Sequence, residues 1–60
     1  MAYVLKLYVK EQLIETDDSG KKSFDDLMSR VKQLVDCGIA DCGEVFDSDG
    51  HCCFRYRKQD

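Results

Sequence analysis

The residues of this chain that could do chemistry are its carboxylates, its four cysteines and its single histidine. Asp47-Ser48-Asp49-Gly50 matches the first part of a calcium-binding loop, but the later ligands and the closing glutamate are missing at the required offsets, so we interpret the segment as a turn. The donor atoms of a zinc site are present on Cys37, Cys42, His51, Cys52 and Cys53. These residues contain no C-x-x-C pair, and adjacent cysteines on a strand point to opposite faces, so we expect no metal and no other cofactor.

The spacing also allows a thiolate–imidazole pair, because His51 and Cys53 lie two residues apart on one face of a strand. The sequence shows no third group that would orient the imidazole and no oxyanion site. We therefore expect that the protein is not an enzyme.

Length and composition indicate one small domain, residues 1–60, with a small core and an apolar fraction of 43%, which is ordinary for a folded chain. The net charge is −3, so only the distribution of charge is informative about partners. No apolar stretch reaches the roughly 18 residues of a membrane-spanning helix. The N-terminus lacks a basic region ahead of an apolar run, so we expect a cytoplasmic protein with reduced cysteines.

Apolar and polar residues alternate over residues 3–10, which predicts a half-buried strand. Leu13 and Ile14 are expected to extend this strand past a bend. The polar segment from Thr16 to Lys22 then predicts a loop.

A helix is predicted from Ser23 to about Gly38. Ser23 and Asp26 have the spacing of a capping box, apolar residues recur at helical spacing, and Gly38 suits the left-handed position after a helix. Asp26 and Arg30 lie one turn apart and are expected to pair.

The last third of the chain predicts a hairpin. Asp49-Gly50 suits a two-residue type I′ turn, and that turn places Glu44 opposite Arg55 in a favourable cross-strand pair. In this register the core face of the hairpin consists of Val45, Cys52, Phe54 and Tyr56.

These elements predict an α+β fold of order β-α-β-β, with a three-stranded, mainly antiparallel sheet and one helix packed on one face. We favour antiparallel pairing of the first strand with the third. A parallel pairing of the first two strands, with a right-handed crossover, is also allowed.

The alternation of strand and helix directions gathers carboxylates at one end of this fold. We call this set the acidic pole; it consists of Glu15, Asp17, Asp18, Asp25, Asp26, Asp47 and Asp49. The open face of the sheet carries a second set, the basic sheet face, which consists of Lys6, Tyr8, Lys10, His51, Arg55 and Arg57. Such a face suits phosphates, with Tyr8 as a stacking platform.

In length, acidity, single-domain architecture and lack of catalytic motifs, the whole chain resembles the small phage-encoded anti-defence proteins, anti-CRISPR proteins among them. The resemblance implies an inhibitor in the host-cell cytoplasm that occupies a basic nucleic-acid groove on a host complex and presents carboxylates where phosphates would bind. Fixed carboxylates compete for Lys and Arg side chains that otherwise bind phosphate. The leading hypothesis is therefore an interaction protein that binds a basic protein partner through the acidic pole.

A second resemblance covers the helix and the hairpin. Val31–Gly38 followed by Gly50-His51-Cys52-Cys53-Phe54-Arg55 is similar to the HicA-like mRNA interferase toxins, which place a histidine on a strand. It implies a catalytic role for His51, and the competing hypothesis is an RNA-binding or RNA-cleaving module that uses the basic sheet face. A homodimer through exposed strand edges is compatible with either hypothesis.

Overall fold

A computed structural model describes residues 2–58, which form a four-stranded antiparallel sheet with one helix on one face. The elements in chain order are β1 (Val4–Val9), β2 (Gln12–Asp17), α1 (Phe24–Asp36), β3 (Cys42–Phe46) and β4 (Cys52–Arg57). The strand order across the sheet is β2-β1-β3-β4. The α+β class and the helix on an antiparallel sheet are confirmed, but the expected number of strands was three. Within the described part of the chain, no helix is long and apolar enough to cross a membrane.

The additional strand follows a tight turn at Lys10 and Glu11 that the sequence pattern did not predict. Both residues have positive φ, 50° and 69°, as a type I′ turn requires, although neither is the glycine or asparagine that usually occupies it. The Lys10 N–H donates a hydrogen bond of 3.0 Å to Asp41 Oδ2, so a tertiary contact holds the turn. Leu13 and Ile14 consequently lie on β2 and do not extend β1.

This extra reversal changes the partner of β1. Leu5 lies opposite Val45 and Leu7 opposite Gly43, so β1 pairs antiparallel with β3. The expected pairing of the first strand with the last one is wrong, because the β1–β2 hairpin turns the chain once more before the helix begins.

The C-terminal hairpin keeps its predicted register away from the turn, with Glu44 opposite Arg55. Next to the turn the register shifts, so Cys52 lies opposite Phe46 and is exposed instead of joining the core face. The Gly50 N–H donates to the Asp47 carbonyl at 3.1 Å, and Gly50 has a φ of 87°. This geometry fits a type I turn followed by a left-handed glycine, and the predicted type I′ turn at Asp49-Gly50 is therefore wrong.

Both ends of α1 are capped by the predicted residues, but the return bond of the capping box is absent: within residues 2–58 the Asp26 carboxylate accepts no hydrogen bond. Ser23 Oγ accepts a hydrogen bond of 3.2 Å from the Asp26 N–H and caps the first turn. At the other end Gly38 has a φ of 85°, its N–H donates to the Val35 carbonyl, and the next N–H, that of Ile39, donates to the Leu34 carbonyl. This is a Schellman motif, which directs the chain from α1 toward β3.

The core lies where α1 crosses the centre of the sheet. Its buried residues are Leu5, Leu7, Leu27, Val31, Val35, Ala40 and Val45. Gly43 lies directly beneath α1: a Cβ at this position would be 2.6 Å from Val31 Cγ1 and 2.8 Å from Leu7 Cδ2. The helix therefore packs against the bare backbone of β3, closer than a side chain would permit.

Gly43→Ala is expected to lower the free energy of unfolding by about 1–3 kcal/mol, because the new methyl group overpacks the core. The φ of Gly43 lies outside the left-handed region, so alanine is allowed by the backbone and the effect isolates packing. Urea denaturation followed by circular dichroism measures it. Val31→Ala in the same chain removes the crowded methyl groups, so the double variant should be destabilised by less than the sum of the two single effects. A Gly43→Ala protein as stable as the wild type would contradict this packing.

Candidate functional site

The strand directions place the loop after β2, the start of α1 and the β3–β4 turn at one end of the molecule. Asp17 lies opposite Leu5 and Phe46 opposite Val4, so β2 and β3 both end beside the start of β1. The start of α1 lies there too, since the ring centroids of Phe24 and Tyr3, the residue before β1, are 5.3 Å apart. Six residues of the acidic pole lie at this end, as predicted: Asp17, Asp18, Asp25, Asp26, Asp47 and Asp49.

Glu15 is the residue of the acidic pole that lies elsewhere. It occupies the middle of β2, and its carboxylate accepts hydrogen bonds of 2.9 Å from Arg30 Nε and 3.1 Å from Arg30 Nη2. This bidentate salt bridge raises the pKa of Arg30 and links α1 to the edge strand of the sheet. The expected Asp26–Arg30 pair is absent from the described residues, because Arg30 reaches across to Glu15 instead.

Asp17 is engaged within the loop that it begins. Its carboxylate lies 2.9 Å from Lys22 Nζ and accepts a hydrogen bond of 3.0 Å from the Ser19 hydroxyl. The contact with Lys22, followed by those with the Ser19 side chain and backbone, lowers the pKa of Asp17. Asp17 therefore orders the path from β2 into α1 while it adds charge to the acidic pole.

Asp47 organises the β3–β4 turn. Its Oδ1 accepts hydrogen bonds of 2.9 Å from the N–H groups of both Asp49 and His51. The backbone bond from His51 is the main cause of the lowered pKa of Asp47. The same turn groups the side chains of Asp47, Asp49 and His51, whose nearest ligand atoms lie within 4.8 Å of one another.

Four carboxylates of the acidic pole remain directed to solvent. Within residues 2–58, they accept no hydrogen bond and form no salt bridge; they belong to Asp18, Asp25, Asp26 and Asp49. Asp25 and Asp26 also favour the positive end of the α1 dipole. Lys21 and Lys22 offset part of this charge, and Lys6 of β1 also lies beside the β3–β4 turn, next to Phe46 and Asp47.

The acidic pole is a broad surface. The ends of β2 and β3 are separated by two strand spacings, about 10 Å, so the carboxylates of the loop and those of the turn do not converge on one point. Such a distribution suits contact with several basic side chains.

The fold divides the basic sheet face. Lys6 Nζ lies 5.3 Å from the centroid of the Phe46 ring, and Arg55 Nη2 pairs with Glu44 at 3.1 Å. His51 belongs to the turn at the acidic pole, with Nδ1 3.7 Å from an Asp47 carboxylate oxygen. The remaining members, Tyr8, Lys10 and Arg57, line an open groove of about 730 Å³ at the opposite end of the sheet, which we call the sheet groove. Arg55 lines the same groove, so four residues of the basic sheet face meet there. Sequence reasoning missed the wall formed by Glu11 and Asp41, because it missed the turn at Lys10.

The two edges of the sheet are β2 and β4. On β2 the side chains of Leu13 and Ile14 are 53% and 47% exposed. The homodimer through strand edges stays a prediction, and β2 is the edge with exposed large apolar side chains.

Comparison with protein-family models, with curated proteins and with solved structures found no match to this chain. The functional proposal therefore depends on the geometry of the chain itself.

Stability is expected to fall as the pH falls below about 4, because the folded-state pKa values of Asp17 and Asp47 are lowered. A lowered folded-state pKa contributes stability above the unfolded-state value, and the contribution disappears as the pH falls through the folded-state value. Asp47→Ala should therefore lose less stability than the wild type between neutral pH and about pH 3, in urea denaturation at a series of pH values.

Asp18→Ala is the matched control, since it removes one carboxylate that has no hydrogen-bond partner among the described residues. It should follow the wild-type pH curve. An Asp47→Ala curve parallel to that of the wild type would show that the turn does not depend on this carboxylate.

Proposed function

We propose that this protein is a small, non-enzymatic interaction protein whose acidic pole binds a basic surface of a protein partner. The observation that carries the proposal is the gathering of six carboxylates at one end, four of them directed to solvent. Solvent-directed carboxylates keep their full capacity to accept hydrogen bonds from Lys and Arg side chains of a partner.

The partner surface that fits best is one that binds nucleic acid. Such surfaces present Lys and Arg side chains spaced to meet successive phosphates, and the acidic pole offers carboxylates over two strand spacings, about 10 Å. Occupation of that surface would exclude the nucleic acid by competition for the same cations. This is the role of an anti-defence inhibitor of the anti-CRISPR kind, and we propose that role for this chain.

The geometry favours an association that depends on electrostatic attraction. The contributing side chains, such as Asp18 and Asp49, are exposed, so salt screens their attraction to a partner. Exposed charges at the margin of an interface act mainly on the rate of association. We therefore expect binding that weakens as the ionic strength rises.

The test neutralises the four solvent-directed carboxylates and leaves the two that accept hydrogen bonds, those of Asp17 and Asp47. The variant Asp18→Asn/Asp25→Asn/Asp26→Asn/Asp49→Asn keeps the Lys22–Asp17 pair and the Asp47 turn. The immobilised wild-type protein captures partners from a bacterial lysate, and the captured protein is then tested for nucleic-acid binding in the presence of the free chain. We expect the wild type to displace the nucleic acid, and the four-residue variant to be weaker by about tenfold or more.

A smaller pair of variants separates position from total charge. Asp18→Asn/Asp49→Asn removes two charges at the acidic pole, while Glu11→Gln/Asp36→Asn removes two at the other end of the molecule. The first pair should weaken displacement and the second should not. Equal effects of the two pairs, or a captured partner that keeps its nucleic acid, would contradict the proposal.

A further inference from the structure

The sheet groove lies on the open face of the sheet, at the end opposite the acidic pole. Its floor is a cross-strand row, in which Tyr8 on β1 lies opposite Cys42 on β3, and Cys42 lies opposite Arg57 on β4. The volume of about 730 Å³ lies within the usual range of small-ligand sites, about 300–1,000 Å³. The groove is therefore large enough for a ligand the size of a nucleotide.

Asp41 makes the rim of the sheet groove rigid. Its N–H donates to the Tyr8 carbonyl at 2.9 Å, and its own carbonyl accepts a hydrogen bond of 2.8 Å from the Lys58 N–H. Its carboxylate accepts from the Lys10 N–H at 3.0 Å. One residue thus joins the end of β1, the β1–β2 turn and the end of β4, so the side chains of the rim project from a fixed frame.

The charge of the groove is opposite in sign to that of the whole chain. Four cations line it: Lys10, Arg55, Arg57 and Lys58. Three carboxylates accompany them, which gives a formal charge of +1 on a chain of −3. Arg55 is held by Glu44, whereas Lys10, Arg57 and Lys58 form no salt bridge with any residue from 2 to 58. These three cations line the groove without an ion-pair partner among the described residues, so they can pair with an anion.

Tyr8 and Glu44 determine which part of the groove favours a base and which part favours a phosphate. The Tyr8 ring is half-buried in the floor, and burial, together with the nearby Glu44 carboxylate, raises the pKa of its phenol, so the ring stays neutral at physiological pH. A neutral aromatic ring is a platform for a nucleobase. Glu44 repels phosphate from the inner floor, and Glu11 and Asp41 repel it from the part of the rim near the β1–β2 turn. A phosphate is therefore favoured on the β4 side of the rim, beside Arg57 and Lys58.

We propose that the sheet groove binds a nucleotide unit, with its phosphate at the rim beside Arg57 and Lys58 and its base stacked on Tyr8. The unit is either a free nucleotide or part of a single strand, since both present one phosphate beside an unpaired base. The inference goes beyond the acidic pole and does not depend on it, because the two surfaces lie at opposite ends of the sheet.

The experiment is a titration of the folded protein, followed by NMR amide shifts, with four probes: adenosine monophosphate, inorganic phosphate, a short oligothymidylate and a short DNA duplex. We expect the nucleotide or the single strand to shift the signals of β1, β3 and β4 around the groove. Arg57→Gln/Lys58→Gln should weaken this binding by about tenfold or more, and the binding that remains should depend less steeply on salt. Tyr8→Leu should weaken it by about tenfold, whereas Tyr8→Phe should retain it.

Lys21→Gln/Lys22→Gln is the matched control, because it removes two cations at the acidic pole and should leave nucleotide binding unchanged. Saturation by the free nucleotide alone would identify a mononucleotide site, and tighter binding of the strand would identify a single-strand site. Four results would overturn the proposal. They are no binding of the nucleotide or the single strand, an affinity for inorganic phosphate equal to that for the nucleotide, stronger binding of the duplex than of the single strand, and equal weakening by Lys21→Gln/Lys22→Gln and Arg57→Gln/Lys58→Gln. Asp18→Asn/Asp49→Asn should not weaken nucleotide binding, so failure at one surface is distinguishable from failure at the other.

Discussion

The contact between α1 and the bare backbone of β3 at Gly43 is the constraint on which the rest of the structure depends. The core has seven buried residues, and Val31 and Leu7 meet at Gly43 with no room for a methyl group. In a chain of this size a small core leaves little excess stability, so the loss of this close approach would be costly to the fold. The connections of α1 to β2 and β3 then bring the start of the helix, with the aspartates of its first turn, to the end of the sheet where β2 ends.

The preference of helix starts and tight turns for aspartate explains part of the acidic pole without any function. A helix start favours carboxylates through its dipole, and a tight turn favours an aspartate that accepts backbone N–H groups, as Asp47 does. The antiparallel order brings one helix start, one loop and one turn to the same end, so these local preferences add up there. The residues that local structure explains least are Asp18 and Asp49, whose carboxylates accept no hydrogen bond within the described range. They are therefore the most informative positions for a functional role.

The elements that were predictable from the sequence are those with local signals. Ser23 caps the helix, Gly38 ends it, and the Glu44–Arg55 pair fixes the hairpin register, each through residues close in the chain or in direct cross-strand contact. The β1–β2 turn was not predictable, because Lys10 and Glu11 carry no turn signal and the contact with Asp41 that holds them spans 31 residues. The partner of Arg30 was missed for a related reason: Glu15 became available only once β2 existed as a separate strand.

The unpredicted hairpin left six residues of the acidic pole in place, moved Glu15 onto β2 and contributed to the charge asymmetry of the molecule. The loop after β2, the start of α1 and the β3–β4 turn all follow Glu11 in the chain, so one additional reversal before them does not alter their positions relative to one another. It does alter β1, which becomes antiparallel to β3, and it carries Lys10 to the end away from the aspartates. Without that reversal the C-terminal end of β1 would run toward the acidic loop and bring Lys10 nearer to it. The same turn therefore keeps Lys10 away from the aspartates of the acidic pole and supplies one wall of the sheet groove.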